Sequence, residues 1–262
     1  MLHTSDELKN ISLQVRKDIL NMIYKAGSGH PGGSLSAVEI LTALYFNILE
    51  ANDRFFLSNG HICPALYAVM AEKGIIEKSL LSTYTELGSV LQGHPERTKL
   101  AGIENTSGPL GLGLAQAAGY AASIKTDSKE GFIYCMTSDG EHDEGNHWEA
   151  VNFAAKYRLG NLIQIVDKNG IQIEGTVEEI MPLGNLKEKY EASDWNVIEI
   201  DGHDFNQIFD SINKAKNVKD KPSVILAKTA FGKGISFMEG NPDWHAKAPN
   251  EEEFKKAMEE LI

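Results

Sequence analysis

Basic residues are scarce in this chain: 25 Lys and Arg stand against 37 Asp and Glu in 262 residues, a formal net charge of −12. Without a basic field there is nothing to attract a polyanion, which argues against broad nucleic-acid or anionic-membrane binding. A phosphorylated small molecule needs only a few local donors and stays open. No apolar run is long enough to span a bilayer. The opening Met1–Glu7 has no basic stretch followed by an apolar one, so no secretory signal is read and a cytoplasmic location is expected. Cysteine is rare as well: Cys63 and Cys135 lie far apart in apolar surroundings and are expected to be buried free thiols. There is no repeat, no low-complexity stretch and no Pro/Ser-rich linker, so residues 1–262 are read as one domain. At 42% hydrophobic and 24% charged, the composition is that of a globular protein.

What is present is an alternation of helical and strand patterns. Apolar residues at Leu8, Ile11, Val15, Ile19, Leu20 and Ile23 predict a helix from Asp6 to about Lys25. A second helix is expected from Ser36 to Leu49 and an Ala/Gly-rich third from Gly111 to Lys125. Short apolar runs at Phe132–Met136, Leu162–Val166, Asn196–Ile200 and Ser223–Ala227 read as strands, with helices at about Glu144–Tyr157 and Phe205–Lys216 between them. Such strands imply an α/β fold, a parallel sheet covered on both faces. Function in such sheets sits at the carboxyl ends of the strands, which directs attention to the loops after Met136, Val166, Ile200 and Ala227.

Two of those loops are Ser138-Asp139-Gly140 and Asp167-Lys168-Asn169-Gly170-Ile171. Asp139 and Asn169 are thirty positions apart, one strand–helix–strand unit, so both can reach the same sheet edge. A carboxylate, an amide oxygen and a backbone carbonyl are hard ligands of the kind magnesium takes alongside phosphate oxygens. On turn chemistry alone, Asp-Gly and Asn-Gly are equally ordinary strand-end turns. His142, Glu144 and His147 do not form a zinc-protease motif, because the histidines are five apart where four are needed. Thr106-Ser107-Gly108-Pro109-Leu110-Gly111-Leu112-Gly113 exposes backbone at a helix start, but no strand precedes it and its spacing is not that of a dinucleotide fingerprint. Five of the eight histidines (His30, His61, His94, His203 and His245) lie in glycine- or proline-rich contexts. Several imidazoles in the loops of one domain suggest a site that bonds phosphate or sugar oxygens and shuttles protons.

The block Ser138-Asp139-Gly140 through Asn169 resembles the thiamine-diphosphate motif Gly-Asp-Gly…Asn, with Ser138 where glycine is usual. Glu141–Ala150 and Gly160–Gly175 are similar to transketolases in particular, and the histidine loops recur there in the same order over nearly the whole chain. The resemblance implies a thiamine-diphosphate-binding fold. It implies that Asp139, the Asn169 side chain and the Ile171 carbonyl bind Mg2+, that Gly140 contacts the diphosphate and that Ile173 lies near the cofactor rings. By the same resemblance Gly108, Pro109 and Leu110 cradle the aminopyrimidine, and His30, His61, His94 and His245 line the channel to the reactive carbon, His61 and His245 also touching cofactor. His203 is equally well explained as a strand-end turn. Glu144, at a helix start where acidic residues are favoured in any case, would join a network linking two active sites.

In transketolases a glutamate from a second, pyrimidine-binding domain activates the cofactor, and nothing in this sequence corresponds to that domain. The expectation is therefore a subunit that needs a partner chain carrying the pyrimidine-binding and C-terminal domains, in an α2β2 assembly, with a separately encoded half favoured over a fragment. The expected activity is transfer of a two-carbon ketol unit from a ketose phosphate to an aldose phosphate, as in the pentose phosphate pathway. The alternatives are the α subunit of a 2-oxo-acid dehydrogenase, against which the Ser28–Gly32, Leu57–His61 and Trp244–Pro249 blocks speak, and a non-catalytic cofactor-binding scaffold. A nicotinamide-dependent oxidoreductase is least favoured.

Overall fold

The structure, a computed structural model, describes residues 2–262. Helix α1 (Ser5–Ala26) begins at Thr4, whose hydroxyl accepts the Glu7 N–H while the Glu7 carboxylate accepts the Thr4 N–H at 2.7 Å; it ends where Gly27 turns left-handed. The segment expected as one helix from Ser36 to Leu49 is broken. It comprises α2 (Pro31–Ser36), α3 (Val38–Ala43) and a π-helical turn over Leu44–Ile48. Its apolar period survives the break because all three pieces pack on the same core.

Five parallel strands follow the order β1-β2-β3-β7-β6. They are β1 (Arg54–Leu57), β2 (Ile133–Ser138), β3 (Leu162–Lys168), β6 (Asn196–Asp201) and β7 (Ser223–Lys228). A two-stranded antiparallel ribbon, β4 (Ile171–Gln172) with β5 (Gly175–Thr176), follows β3. The four expected strands are present; β1 is an addition, four residues on the sheet edge whose Phe55 and Phe56 face opposite cores. The remaining helices are α4 (Cys63–Glu72), α5 (Leu112–Thr126), α6 (Gly145–Lys156), α7 (Val177–Ile180), α8 (Leu186–Ala192), α9 (Phe205–Asn217) and α10 (Glu251–Glu260).

Alternation along the strands divides the core in two. Tyr134, Met136, Ile163, Ile165 and Ile225 meet α1, α3, α4 and α9, whereas Ile133, Cys135, Leu162, Val166 and Leu226 meet α5, α6 and α8. Strand β6, on the other edge, is partly open along its whole length. Cys63 and Cys135 are buried and free, as expected. Among the described residues no helix is long and apolar enough to cross a membrane. The strand order reverses between β3 and β7, the place where α/β sheets open a crevice at their carboxyl ends.

Candidate active site

Strand β2 delivers Ser138 and then a 3-10 turn, Asp139–Asp143. Ser138 has φ −119° and ψ 173°, extended backbone that needs no glycine, so its presence in the motif costs nothing conformationally. Asp139 is 1% exposed, and its Oδ2 accepts the Gly170 N–H at 2.7 Å. The Asn169 Oδ1 accepts the Ile171 N–H at 3.0 Å, and its Nδ2 donates to Asp167 Oδ2 at 3.0 Å. Asp139, Asn169 and Ile171 are thus gathered at the ends of β2 and β3. Burial pushes the Asp139 carboxyl up to about 7, against the lowering effect of the Gly170 N–H.

Two buried carboxylates that the motifs did not single out hold this edge together. Asp167, fully buried at the end of β3, accepts hydrogen bonds from Ser36 Oγ at 2.6 Å, from Asn169 and from the Thr229 hydroxyl after β7. Glu141 accepts from the Ser58 hydroxyl, the Gly111 N–H at 2.7 Å and the Ser138 N–H at 3.1 Å. It therefore ties the loop after β2 to the loop after β1 and to the Gly108–Gly111 turn. Gly111 has φ +79°, and a Cβ there would lie 2.3 Å from Asn146 Oδ1, so both its conformation and its space demand glycine. The available signal for Asp167 was a charged residue ending an otherwise apolar strand.

On the α1–α4 side, four histidines converge. His30 precedes α2, His61 sits in the 3-10 turn after β1, and His245 follows the turn Pro242–Trp244. His94 is brought in by a loop that Cys63 and Tyr67 hold through the carbonyls of Gly93 and Gln92. Ring centroids are 5.4 Å apart for His30 and His61, 6.1 Å for His30 and His94, 5.4 Å for His30 and His245, and 5.6 Å for His61 and His245. Burial first, then the neighbouring imidazoles, brings His61 down to about 3 and His30 to about 4; burial also lowers His94 and His245. The quartet is therefore neutral at physiological pH. Gly108 lies against the His94 ring, and the Pro109 and Leu110 backbone continues from it toward Gly111.

Ile173 occupies the two-residue turn between β4 and β5 at φ +54° and is 58% exposed. A β-branched residue in left-handed backbone stores about 1–3 kcal/mol of strain, which points to a role for the side chain it presents. Glu144 is exposed at the entrance to α6, beside Gly111. His203 lies apart from the quartet: its Nε2 accepts the Ala230 N–H at 2.9 Å, so Nδ1 carries the proton and donates to Glu39 at 2.8 Å. Glu39 in turn accepts both Arg16 nitrogens, at 2.7 and 2.9 Å. His203 is thus a structural tie.

The site fits a polyanionic cofactor held through a hard cation. Among the described residues no three His, Cys, Asp or Glu side chains converge to hold a metal by themselves. One buried carboxylate with an amide and a carbonyl beside it is the incomplete set magnesium fills with phosphate oxygens and water. His30 Nδ1, both polar atoms of the Asn59 side chain and Ser107 Oγ are buried without partners, an arrangement that awaits a polar ligand.

A family profile, the transketolase thiamine diphosphate binding domain, matches residues 9–261. The chain is 37% identical over 255 residues to one subunit of the apulose-4-phosphate transketolase of Phocaeicola vulgatus, covering 94% of this chain and 90% of that one. It is 41% identical over 264 residues to a 6-deoxy-6-sulfo-D-fructose transketolase subunit of Clostridium sp., covering 97% and 96%. The crystal structure of Campylobacter jejuni transketolase superimposes with a TM-score of 0.90 at 34% identity, over 99% of this chain but 43% of that one. Against single-chain transketolases, then, the chain spans less than half the length. The match runs through the Asp139 loop, the Asn169 turn and all four histidine loops, and the chain belongs to the transketolase family, as its thiamine-diphosphate-binding domain.

Proposed function

We propose that this chain is the diphosphate-holding subunit of a two-chain transketolase, moving a two-carbon ketol unit from a ketose phosphate to an aldose phosphate. Residues 1–262 form its single cofactor-binding domain, and a partner chain carries the pyrimidine-binding and C-terminal domains. The observation that carries this reading is the buried Asp139 carboxylate packed on the 169–171 turn, with the histidine quartet at the same sheet edge.

In this reading Asp139, the Asn169 amide oxygen and the Ile171 carbonyl hold magnesium, and Gly140 lets the diphosphate approach the backbone. Gly108, Pro109 and Leu110 line the aminopyrimidine side, while Ile173 supports the rings. Bound thiamine diphosphate supplies the carbon nucleophile that cleaves and remakes the carbon–carbon bond. The neutral imidazoles of His30, His61, His94 and His245 can each donate and accept a hydrogen bond, which suits them to orient sugar hydroxyls and move a proton. His30 Nδ1, with no partner in the protein, is the atom best placed for that exchange.

Dependence on a partner is supported by the groove between α5 and α6, lined by Leu112, Ala115, Gly119, Asn146, Glu149 and Phe153. Tyr157 packs against Phe153 with ring centroids 4.6 Å apart and extends the apolar surface. Glu144 opens α6 at the rim of this groove, consistent with a role between subunits. An α2β2 assembly, a cytoplasmic location and a place in pentose phosphate metabolism complete the reading. The names of the two subunit relatives carry a sugar phosphate and a sulfonated sugar, so we extend the substrate class to ketoses with a terminal anion.

The test is ketol transfer between sugar phosphates by the purified chain, alone and with a candidate partner, in thiamine diphosphate and Mg2+. Turnover that appears only with the partner supports the reading. Full turnover by the chain alone, or none with any pyrimidine-domain partner, overturns it.

A further inference from the structure

In the layer of α6 and α8, beneath the metal loop, lies a buried polar network that the proposed chemistry does not use. The His142 Nδ1 is 3.0 Å from the Ser138 carbonyl oxygen and 3.1 Å from that of Asp139. Both are acceptors, so Nδ1 carries the proton and the ring grips the two consecutive carbonyls that flank the Asp139 Cα. The Tyr190 hydroxyl is 2.9 Å from His142 Nε2 and 2.8 Å from His147 Nε2. His142 is 3% exposed, and His147 and Tyr190 are not exposed at all.

One phenol proton decides the rest. A neutral His142 protonated on Nδ1 has only an acceptor at Nε2, so Tyr190 donates to it. The His147 Nε2–H then donates to the Tyr190 oxygen, which leaves His147 Nδ1 as the bare acceptor, and that atom is indeed buried without a partner. Gln164 packs on the same phenol: its Nε2 donates to the Thr137 hydroxyl at 2.9 Å and its Oε1 lies 3.0 Å from the Tyr190 oxygen, where it competes with His142 for the one phenol proton. Turning the amide over removes that competition and lets its NH2 donate to the Tyr190 oxygen. The Trp148 indole N–H donates to the His142 carbonyl at 2.8 Å, a further strut on the same turn. The hydrogen bonds thus run one way, from α6 through α8 to the backbone on either side of the metal-binding aspartate.

We propose that Tyr190 and His147 are positioning residues for the metal loop, acting through His142 to fix the peptide planes around Asp139. The inference rests on the reading of Asp139 as a magnesium ligand. Without the Tyr190 proton, His142 is free to turn, the carbonyls of Ser138 and Asp139 lose their clamp, and the carboxylate has to be ordered by the metal itself. Outer residues of this kind typically change metal affinity by about 10- to 100-fold.

The test compares wild type with Tyr190→Phe, His142→Asn and His142→Leu, titrating Mg2+ at saturating thiamine diphosphate well below each melting temperature, by calorimetry and tryptophan fluorescence. Tyr190→Phe should weaken Mg2+ binding about tenfold. In the complex with partner, its kcat at saturating Mg2+ should match wild type. His142→Asn keeps an N–H where Nδ1 stood but has nothing to take the Tyr190 proton, so it should weaken binding about as Tyr190→Phe does; His142→Leu, which loses the clamp as well, should weaken it further. A merely structural network would lower thermal stability in the variants and leave their Mg2+ affinities like that of wild type, and that result overturns the proposal. If His142→Leu does not fold, the two near-isosteric variants still decide the matter. Failure of wild type itself to bind would instead overturn the cofactor reading beneath it.

Discussion

The Asp139 Oδ2 accepts the Gly170 N–H at 2.7 Å, joining the end of β2 to the turn after β3. That bond sets the aspartate against the segment that carries Asn169 and Ile171, so the three proposed metal ligands share one corner. The corner is braced on one side by Asp167, which links β3 to α2 and to the loop after β7, and on the other by Glu141.

Glu141 is the more exacting brace. Its Ala variant leaves the Ser58 hydroxyl and the N–H groups of Gly111 and Ser138 buried without an acceptor, at a cost of about 3–5 kcal/mol. Urea denaturation should show a loss of that size. A loss below about 1 kcal/mol would mean water reaches these donors and the brace is dispensable.

His203 separates from the other histidines by its effect. Burial would raise Glu39, but His203 and Arg16 hold it down at about 2, so the three form one unit. Arg16→Met should cost about 3–5 kcal/mol by leaving Glu39 without its bidentate partner. His203→Ala should cost about 2 kcal/mol and leave thiamine diphosphate affinity unchanged. A large fall in affinity with stability intact would return His203 to the binding site.

Acid sensitivity follows from the quartet. His61 and His30 have folded values near 3 and 4, held there by burial and neighbouring imidazoles, against about 6.5 when unfolded. Below 6.5 the unfolded chain binds more protons than the folded one, so stability is lost as pH falls through that window and levels off only near the folded values. At pH 5 His61 alone costs about 2 kcal/mol relative to pH 7. Thermal melts of the cofactor-free chain should show a smaller drop from pH 7 to pH 5 for His61→Gln than for wild type. Equal drops would contradict the burial account.

Strands β2, β3, β6 and β7 were legible because each is an apolar run bounded by turn residues, and the loops after them carried the motif. Strand β1 was not, since Arg54–Leu57 is four residues long and runs directly into the Ser58-Asn59-Gly60 turn. The break at Ala37 and the π turn at Leu44 were hidden because the apolar spacing of a continuous helix is kept through them. Asp139, Asn169 and the histidines could be named from local context and family resemblance. Glu141, Asp167 and Tyr190 could not, because their roles depend on partners from 26 to 131 positions away. Gln164 and Asp167, polar residues within an apolar strand, were the readable trace of that hidden layer.

The central claim, that Asp139 anchors a metal-held thiamine diphosphate, is tested most directly by calorimetric titration of thiamine diphosphate with Mg2+ into the chain together with its partner, for wild type and Asp139→Ala. The account predicts Mg2+-dependent binding in wild type, weaker binding without the partner, and none in the variant despite an unchanged circular dichroism spectrum. Binding of equal strength in Asp139→Ala, or in wild type with Mg2+ removed, would contradict it.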